Sequence, residues 1–220
     1  MKEIDINSWE RKTHYEWFSS FDNPCFAIAV RMDVTRLLEF CKKNNTSSFA
    51  SVMFFVAKAL NSIKPLRYRI LEGKVYEIPR ANVAYTFSVR KDFFLNNRTN
   101  TATDYFEFCR LVKEQTTRLR ENPVLPKEFN NTTIVDDIYC SCVPWVDFVS
   151  VSEPVPERMP ENSCIPRVSW GKYTEENGRT RCTFSITANH SLADGYDVSQ
   201  AFILLQEMFD CPENFTEQEA

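Results

Sequence analysis

The chain has 220 residues, of which 43% are hydrophobic, and its 18 phenylalanines can fill a sizeable core. Its net charge of −4 gives no reason to expect nucleic acid or an anionic membrane surface as a partner. No apolar run approaches the roughly 20 residues that a membrane-spanning helix needs. We therefore expect one globular domain over residues 1–220.

The cysteines and the N-terminus bear on the cellular compartment. The eight cysteines are scattered, with Cys140 and Cys142 spaced C-x-C and no C-x-x-C pair. The start of the chain, Met1–Asp5, is too polar for a signal peptide, so we expect a cytoplasmic protein whose thiols are reduced. The only two histidines lie far apart in the sequence, so we expect no metal site.

Helical and extended patterns alternate along the first third of the chain. The most regular is Ser48–Ile63, where apolar residues recur at i, i+3, i+4 and i+7 and predict a helix that Pro65 terminates. Three shorter elements precede it: a helix or turn over Trp9–Phe18, a strand over Phe26–Met32 and a helix from Asp33 to Asn45.

The rest of the chain is predicted as strands and turns with two further long helices. Asn177-Gly178, between two alternating segments, is a strong hairpin signal. The acidic tail Cys211–Ala220 is expected to be frayed. The mixture predicts an α/β fold with a mixed or largely antiparallel sheet. The predicted elements are a hairpin (Tyr68–Leu71 and Lys74–Ile78), a strand (Asn82–Val89), a helix (Asp104–Arg120), a loop (Asn122–Phe129), a helix or strand (Ile134–Tyr139), an extended segment (Ser141–Val151), a loop (Glu153–Pro160), two strands (Ile165–Tyr173 and Arg181–Ala188) and a helix (Val198–Phe209).

The run Asn189-His190-Ser191-Leu192-Ala193-Asp194-Gly195 is the most informative segment. It follows the alternating stretch Cys182–Ala188, which places His190 at a strand end with Asp194 in the turn that follows. A neutral imidazole can take a proton from an alcohol near neutral pH. The residues alone also allow a strand-end histidine that is merely satisfied by hydrogen bonds. However, H-x-x-x-D-G is a motif of acyltransferases that use coenzyme A or carrier-bound thioesters.

Three further segments, together with this run, make the chain similar to the chloramphenicol acetyltransferase family along nearly its whole length. Ser8–Phe18 resembles the family's N-W-x-R-[KR]-E-H-F-E-F-Y, and Ser141–Phe148 resembles its S-A-x-P-W-V-x-F. Gly171–Tyr173 resembles the [GA]-K-Y that follows, and His190–Tyr196 resembles H-A-V-C-D-G-F. On these motifs the chain is identified as a member of the family.

The resemblance implies roles for the residues around the reacting atoms. His190 would be the general base that deprotonates the acceptor hydroxyl, and Ser141 would donate a hydrogen bond to the oxyanion. Ser169 stands where the family holds an active-site water. Asp194 would form a buried bidentate pair with Arg11 and hold the turn in shape rather than relay protons. The residues alone also allow Ser141 to be a strand-end hydroxyl and Arg11 a solvated charge.

The resemblance also implies the co-substrate and the assembly. The donor would be acetyl-CoA, with Tyr173 packed on its adenine and Lys172 beside it, although Tyr173 could also be an ordinary strand-surface tyrosine. Transfer would be direct, in a ternary complex without an acyl-enzyme, so no cysteine would act as a nucleophile. The implied fold is a two-layer α/β sandwich that forms a homotrimer with active sites at the subunit interfaces.

Several residues depart from the family's pattern around the acceptor. Phe18 replaces a tyrosine whose hydroxyl reaches the antibiotic in resistance enzymes, and Asn23, near Cys25, takes the place of a leucine that lines the drug pocket. The polar stretch Arg90–Thr103 stands where the family's pocket is apolar. A pocket made partly polar discriminates differently among acceptors. We therefore expect a hydroxylated small molecule as acceptor, either chloramphenicol or another compound.

Two further residues depart from the family's pattern, and the sequence also allows two other functions. Asn189 and Asp197 each stand where the family has a histidine, and neither change removes His190. One rival is a catalytically idle relative that binds a ligand or a partner, although such a protein has no need for the complete set of site residues. The other is an acyltransferase fed by a carrier-protein thioester, which usually requires a two-lobed chain about twice as long.

Overall fold

The computed structural model describes residues 1–90, 93–123 and 135–217. The strands are β1 (Lys2–Glu3), β2 (Cys25–Asp33), β3 (Tyr68–Leu71), β4 (Lys74–Glu77), β5 (Asn82–Arg90), β6 (Phe93–Thr99), β7 (Asp137–Cys142), β8 (Arg167–Trp170), β9 (Thr174–Glu176) and β10 (Arg179–Asn189). The helices are α1 (Lys12–Phe18), α2 (Thr35–Asn44), α3 (Ser48–Ser62), α4 (Tyr105–Glu121), α5 (Pro160–Ser163) and α6 (Gly195–Asp210), with 3₁₀ turns over Lys64–Arg67 and Pro212–Phe215.

The larger sheet is mixed and mostly antiparallel, as predicted. Its order is β2-β10-β8-β7-β5-β6, with β9 paired to the start of β10. Only the β5–β7 and β7–β8 pairs are parallel. The Asn177-Gly178 hairpin prediction is also confirmed. Both residues have positive φ, 54° and 77°, which matches the twist of a two-residue hairpin between β9 and β10.

The two faces of this sheet differ in chemistry. One face is apolar and packs against α3, whose side chains are buried almost all round, and against α2, α4 and α6. The other face is lined by small polar residues, because successive side chains of a strand point to opposite faces. This polar face includes Ser141, Ser169, Thr183, Ser185 and Thr187.

A second, smaller core joins the N-terminus to the end of β10. The hairpin β3–β4 forms a separate three-stranded sheet with β1. Leu192 and Ile165 pack against it, as do Trp9 and Tyr15 from the N-terminal segment. The Trp9 ring lies edge-on to that of Tyr68, with centroids 5.3 Å apart. This packing brings α1 next to the segment that carries the predicted base.

Several predicted boundaries are corrected. The polar stretch Arg90–Thr103 contains the edge strand β6, where Asn97 donates to Tyr85 Oη (2.7 Å) and to Gln115 of α4 (2.9 Å). The expected extended segment Ser141–Val151 is a strand only to Cys142. The expected frayed tail is wrong for residues 211–217, because Pro212 is buried and Thr216 O accepts from Tyr105 N (2.9 Å). The loop predicted over Asn122–Phe129 falls mostly outside the described residues, as does Ile134.

Candidate active site

The segment after β10 is a tight turn held by the buried side chain of Asn189. Its Nδ2 donates to Ser163 Oγ (3.0 Å), and its Oδ1 accepts from the backbone N of Ser191 (2.9 Å). Its carbonyl accepts from the N–H groups of Leu192 and Ala193, both at 3.0 Å. Asn189, which departs from the family's pattern, therefore holds the turn through hydrogen bonds of its side chain and its carbonyl.

Arg11, from the other end of the chain, clamps the same turn from outside. Its Nη1 donates to Asp194 Oδ2 (3.1 Å), its Nη2 to the carbonyl of His190 (2.8 Å) and its Nε to the carbonyl of Ser191 (3.2 Å). The predicted pairing is present, but one guanidinium nitrogen rather than two bonds the carboxylate, and the side chain of Asp194 is 42% exposed. The guanidinium instead spreads its donors over two carbonyls and one carboxylate.

Asp194 has a second structural role, as the N-cap of α6. Its Oδ1 accepts from Tyr196 N (2.9 Å) and Asp197 N (3.4 Å), and Asp197 Oδ2 accepts from Asp194 N (2.9 Å). This reciprocal capping box explains Asp197, for which the sequence offered no account. Partial burial would raise the pKa of Asp194, but the hydrogen bonds from Arg11 and from the two backbone N–H groups lower it overall.

The imidazole of His190 lies between two aromatic rings. Phe18 stacks on it with centroids 4.0 Å apart and planes 6° apart, and Phe26 lies at 4.6 Å with a 41° tilt. Its backbone N donates to Pro24 O (2.9 Å). Its Nδ1 is buried and has no hydrogen-bond partner among the described residues. The ring is thus held in one orientation by packing rather than by polar contacts.

The other residues predicted to contact the acceptor, Asn23 and Cys25, flank Pro24, whose carbonyl accepts from His190 N. Asn23 is exposed, and its Oδ1 accepts from Cys25 N (3.1 Å). Cys25 pairs with Asn189 across β2 and β10, and its thiol donates to Ser163 O (3.4 Å). Burial raises the pKa of Cys25 to about 11, so this thiol is protonated near neutral pH and is a poor nucleophile.

Ser141 lies on the polar face, in the middle of the sheet. Its Oγ is 3.3 Å from Thr86 Oγ1. It is level with Ser169 on β8, which is in turn level with Ser185 on β10. The three serines therefore form a row across the strands.

The hydroxyl predicted to hold a water is engaged by a carboxylate. Ser169 is 1% exposed and donates to Glu153 Oε1. Burial raises the pKa of Glu153, although the hydrogen bond from Ser169 and the charge of Arg167 oppose this. Nothing in the sequence pattern marks Glu153, because it follows the matched P-W-V-x-F segment and precedes a proline in an irregular stretch.

His190 and Ser141 are not brought together within one chain. Ser185, which is level with Ser141, lies four residues before Asn189 and five before His190, so the strand carries the chain about 13 Å further by Asn189. Ser141 is also two strands away, which adds about 10 Å sideways and places its backbone about 16 Å from that of Asn189, with His190 one residue further on. A general base and an oxyanion donor that serve one reaction must each lie within about 3 Å of neighbouring substrate atoms.

The residues expected to contact the co-substrate lie just after β8. Lys172 is exposed, and its backbone N donates to Val146 O (2.9 Å). Tyr173 packs against the main core and hydrogen-bonds with Ser48, and burial raises its pKa. The ring is partly buried, and its role at the co-substrate stays a prediction.

The described residues contain neither a metal-binding cluster nor a membrane-spanning helix. Over the three described ranges, no group of three or more His, Cys, Asp or Glu side chains could hold a metal ion. Within the same ranges, no helix combines the length and the apolar character that crossing a bilayer requires. All eight cysteines are free thiols.

Comparison with known proteins connects this geometry to a family. The sequence profile described as chloramphenicol acetyltransferase matches residues 1–206. The chain belongs to the chloramphenicol acetyltransferase family. It is 25% identical over 209 residues to the chloramphenicol acetyltransferase of Escherichia coli, covering 94% of this chain and 93% of that one. A Staphylococcus aureus chloramphenicol acetyltransferase is 23% identical over 199 residues, covering 89% and 90%.

Solved structures confirm the predicted two-layer α/β fold. A chloramphenicol acetyltransferase structure superposes with a TM-score of 0.80 at 22% identity, covering 94% of this chain and 99% of that one. An Azotobacter vinelandii dihydrolipoamide acetyltransferase shares the fold with a TM-score of 0.67 at 12% identity, covering 92% and 88%. As a family member, the protein is an acyltransferase that uses acetyl-CoA.

Replacing Arg11 by alanine is expected to lower the free energy of unfolding by roughly 2–3 kcal/mol, because two carbonyls and a carboxylate lose a charged donor. Because the side chain of Asp194 is partly exposed, the loss of unfolding free energy is smaller than for a fully buried ion pair. Urea denaturation measures it. The matched control is Lys12→Ala, which removes the adjacent cation, 3.9 Å from Glu16 at the surface. Equal losses in both variants would contradict the clamp.

Proposed function

We propose that this protein transfers the acetyl group of acetyl-CoA to a hydroxyl of a small molecule, with His190 as general base. The observation that carries the proposal is the fixed imidazole. It stacks on Phe18 and packs against the tilted ring of Phe26, and its turn is held by Arg11 and Asn189. A merely structural histidine would satisfy both ring nitrogens, whereas Nδ1 is buried without a partner among the described residues.

The reaction follows from the groups present. His190 takes the proton of the acceptor hydroxyl while its oxygen attacks the thioester carbonyl carbon. Ser141 donates a hydrogen bond to the oxyanion that forms. The C–S bond then breaks, and the proton held by His190 passes to the departing sulfur of coenzyme A. Donor and acceptor are bound together, and the acetyl group never resides on the protein.

The proposal requires a site shared between chains. A backbone separation of about 16 Å between Ser141 and Asn189, the residue before His190, prevents His190 from meeting Ser141 of the same chain. We therefore propose a homotrimer in which His190 of one subunit faces Ser141 of the next. Exposed apolar side chains support such an interface, since Trp17, Trp145 and Val149 are 61%, 69% and 88% exposed in the single chain. We also propose a cytoplasmic location, which the free thiols of all eight cysteines favour.

The acceptor test uses thiol release from acetyl-CoA with chloramphenicol and a panel of alcohols and amines. Turnover with at least one hydroxyl compound, and an O-acetyl product by mass spectrometry, is the expected result. A folded oligomer that neither turns over any acceptor nor binds coenzyme A would favour the rival hypothesis of a catalytically idle relative. Chloramphenicol enters the panel as one candidate, because Phe18 and Asn23 alter the pocket beside His190.

A further inference from the structure

Glu153 is a partly buried carboxylate on the polar face of the sheet. Its bond to Ser169 Oγ is its one hydrogen bond in the described part of the chain, and no lysine or arginine there forms a salt bridge with it. The nearby Arg167 is committed elsewhere: its Nη1 donates to the Ile165 carbonyl (3.0 Å), and its Nη2 donates to Asn162 Oδ1.

The position of this carboxylate relative to Ser141 creates an electrostatic problem. Ser141 and Ser169 are level on adjacent strands with side chains on the same face, about 4.8 Å apart. Glu153 therefore places a negative charge one strand away from the proposed oxyanion donor. Two like charges that close disfavour each other strongly in a partly buried site. Glu153 must then be neutralised either by a proton or by a cation from outside the chain.

The geometry favours the cation. A carboxylate with a single hydroxyl partner retains most of its acceptor capacity, and Glu153 is not fully buried, so a ligand can reach it. Charge-assisted hydrogen bonds from an ammonium would satisfy those oxygens and cancel the repulsion. A neutral acceptor would leave the carboxylate partly desolvated and unpaired, which costs binding energy.

We propose that Glu153 determines acceptor specificity, and that the acceptor is a hydroxyl compound carrying a protonated amine that binds this carboxylate. The inference rests on the proposed acetyl transfer, because it deepens the description of the same site. The protonated nitrogen has no lone pair for attack, so it anchors the molecule while the hydroxyl receives the acetyl group. Glu153 binds and orients the acceptor and takes no part in proton transfer.

The test compares two acceptors of the same shape: a phenylpropanediol with a dimethylamino group and the same diol with an isopropyl group. The wild-type protein is expected to show about tenfold higher kcat/KM for the cationic diol. Glu153→Gln should remove that preference, mainly by raising KM for the cationic diol towards the KM of the neutral one. Glu157→Gln, an exposed glutamate of the same segment, is the matched control and should keep the preference.

The outcomes separate the two proposals. Equal use of both diols by the wild-type protein, or a preference that survives Glu153→Gln, overturns the role of Glu153 while leaving acetyl transfer intact. A parallel fall of kcat for both diols in Glu153→Gln shows a structural role only and also overturns it. Absence of transfer to either diol and to every alcohol of the wider panel removes the proposed function, and the inference with it.

Discussion

Replacing His190 by alanine is expected to lower kcat for acetyl transfer by about 10²–10⁴-fold, the range that a positioned general base contributes. Without the imidazole, the acceptor hydroxyl must lose its proton to water before or during attack. The variant should keep its fold, because among the described residues the His190 ring contacts the rings of Phe18 and Phe26, and the turn itself is held by backbone groups and Asn189. Thiol release under saturating acetyl-CoA measures the effect.

The chain offers a matched control in its other histidine. His14 lies on α1, close in sequence to Arg11, and is exposed. His14→Ala should retain wild-type kcat and KM. If His190→Ala kept more than about a tenth of the wild-type kcat while remaining folded, the imidazole would not be the base. Coenzyme A binding, measured separately by calorimetry, distinguishes a loss of chemistry from a loss of donor binding.

The features predicted well from sequence are those with a local physical signature. The helix α3 has apolar residues at every turn, and the Asn177-Gly178 hairpin needs positive φ at both positions. The pairing of Arg11 with Asp194 has no local signature. It was predicted only through the family resemblance, and the structure corrects its form to a clamp on two carbonyls.

The features that were missed depend on tertiary contacts. The polar side chains of β6 argue against a strand, but Gln115 and Tyr85 supply their partners. Arg69 is fully buried, where it donates to backbone carbonyls that include those of Leu66 (2.9 Å) and Asp137 (2.9 Å). No periodicity could reveal such a position, because its partners come from distant segments. The contact between Glu153 and Ser169 was not predicted for the same reason.

Because His190 and Ser141 are far apart within one chain, two inactive variants should restore activity to each other in mixed oligomers. His190→Ala and Ser141→Ala chains, each nearly inactive alone, are expected to regain activity when they are co-expressed with different tags and assembled together. In mixed oligomers, some interfaces unite His190 of one chain with Ser141 of its neighbour. Random assembly makes about one quarter of the interfaces complete, so about that fraction of wild-type activity should return.

The activity expected from the mixed oligomers is much higher than the activity of either variant alone. Losing one oxyanion donor alone costs about 10²–10³-fold, and losing the base costs at least as much. The control pairs His190→Ala with a chain that carries both substitutions, since no interface then contains the base and no recovery is possible. Recovery confined to the complementary pair would mean that each site draws on two subunits. If doubly tagged oligomers stayed inactive, both groups would have to act from one chain, and the proposed division of the site would be wrong.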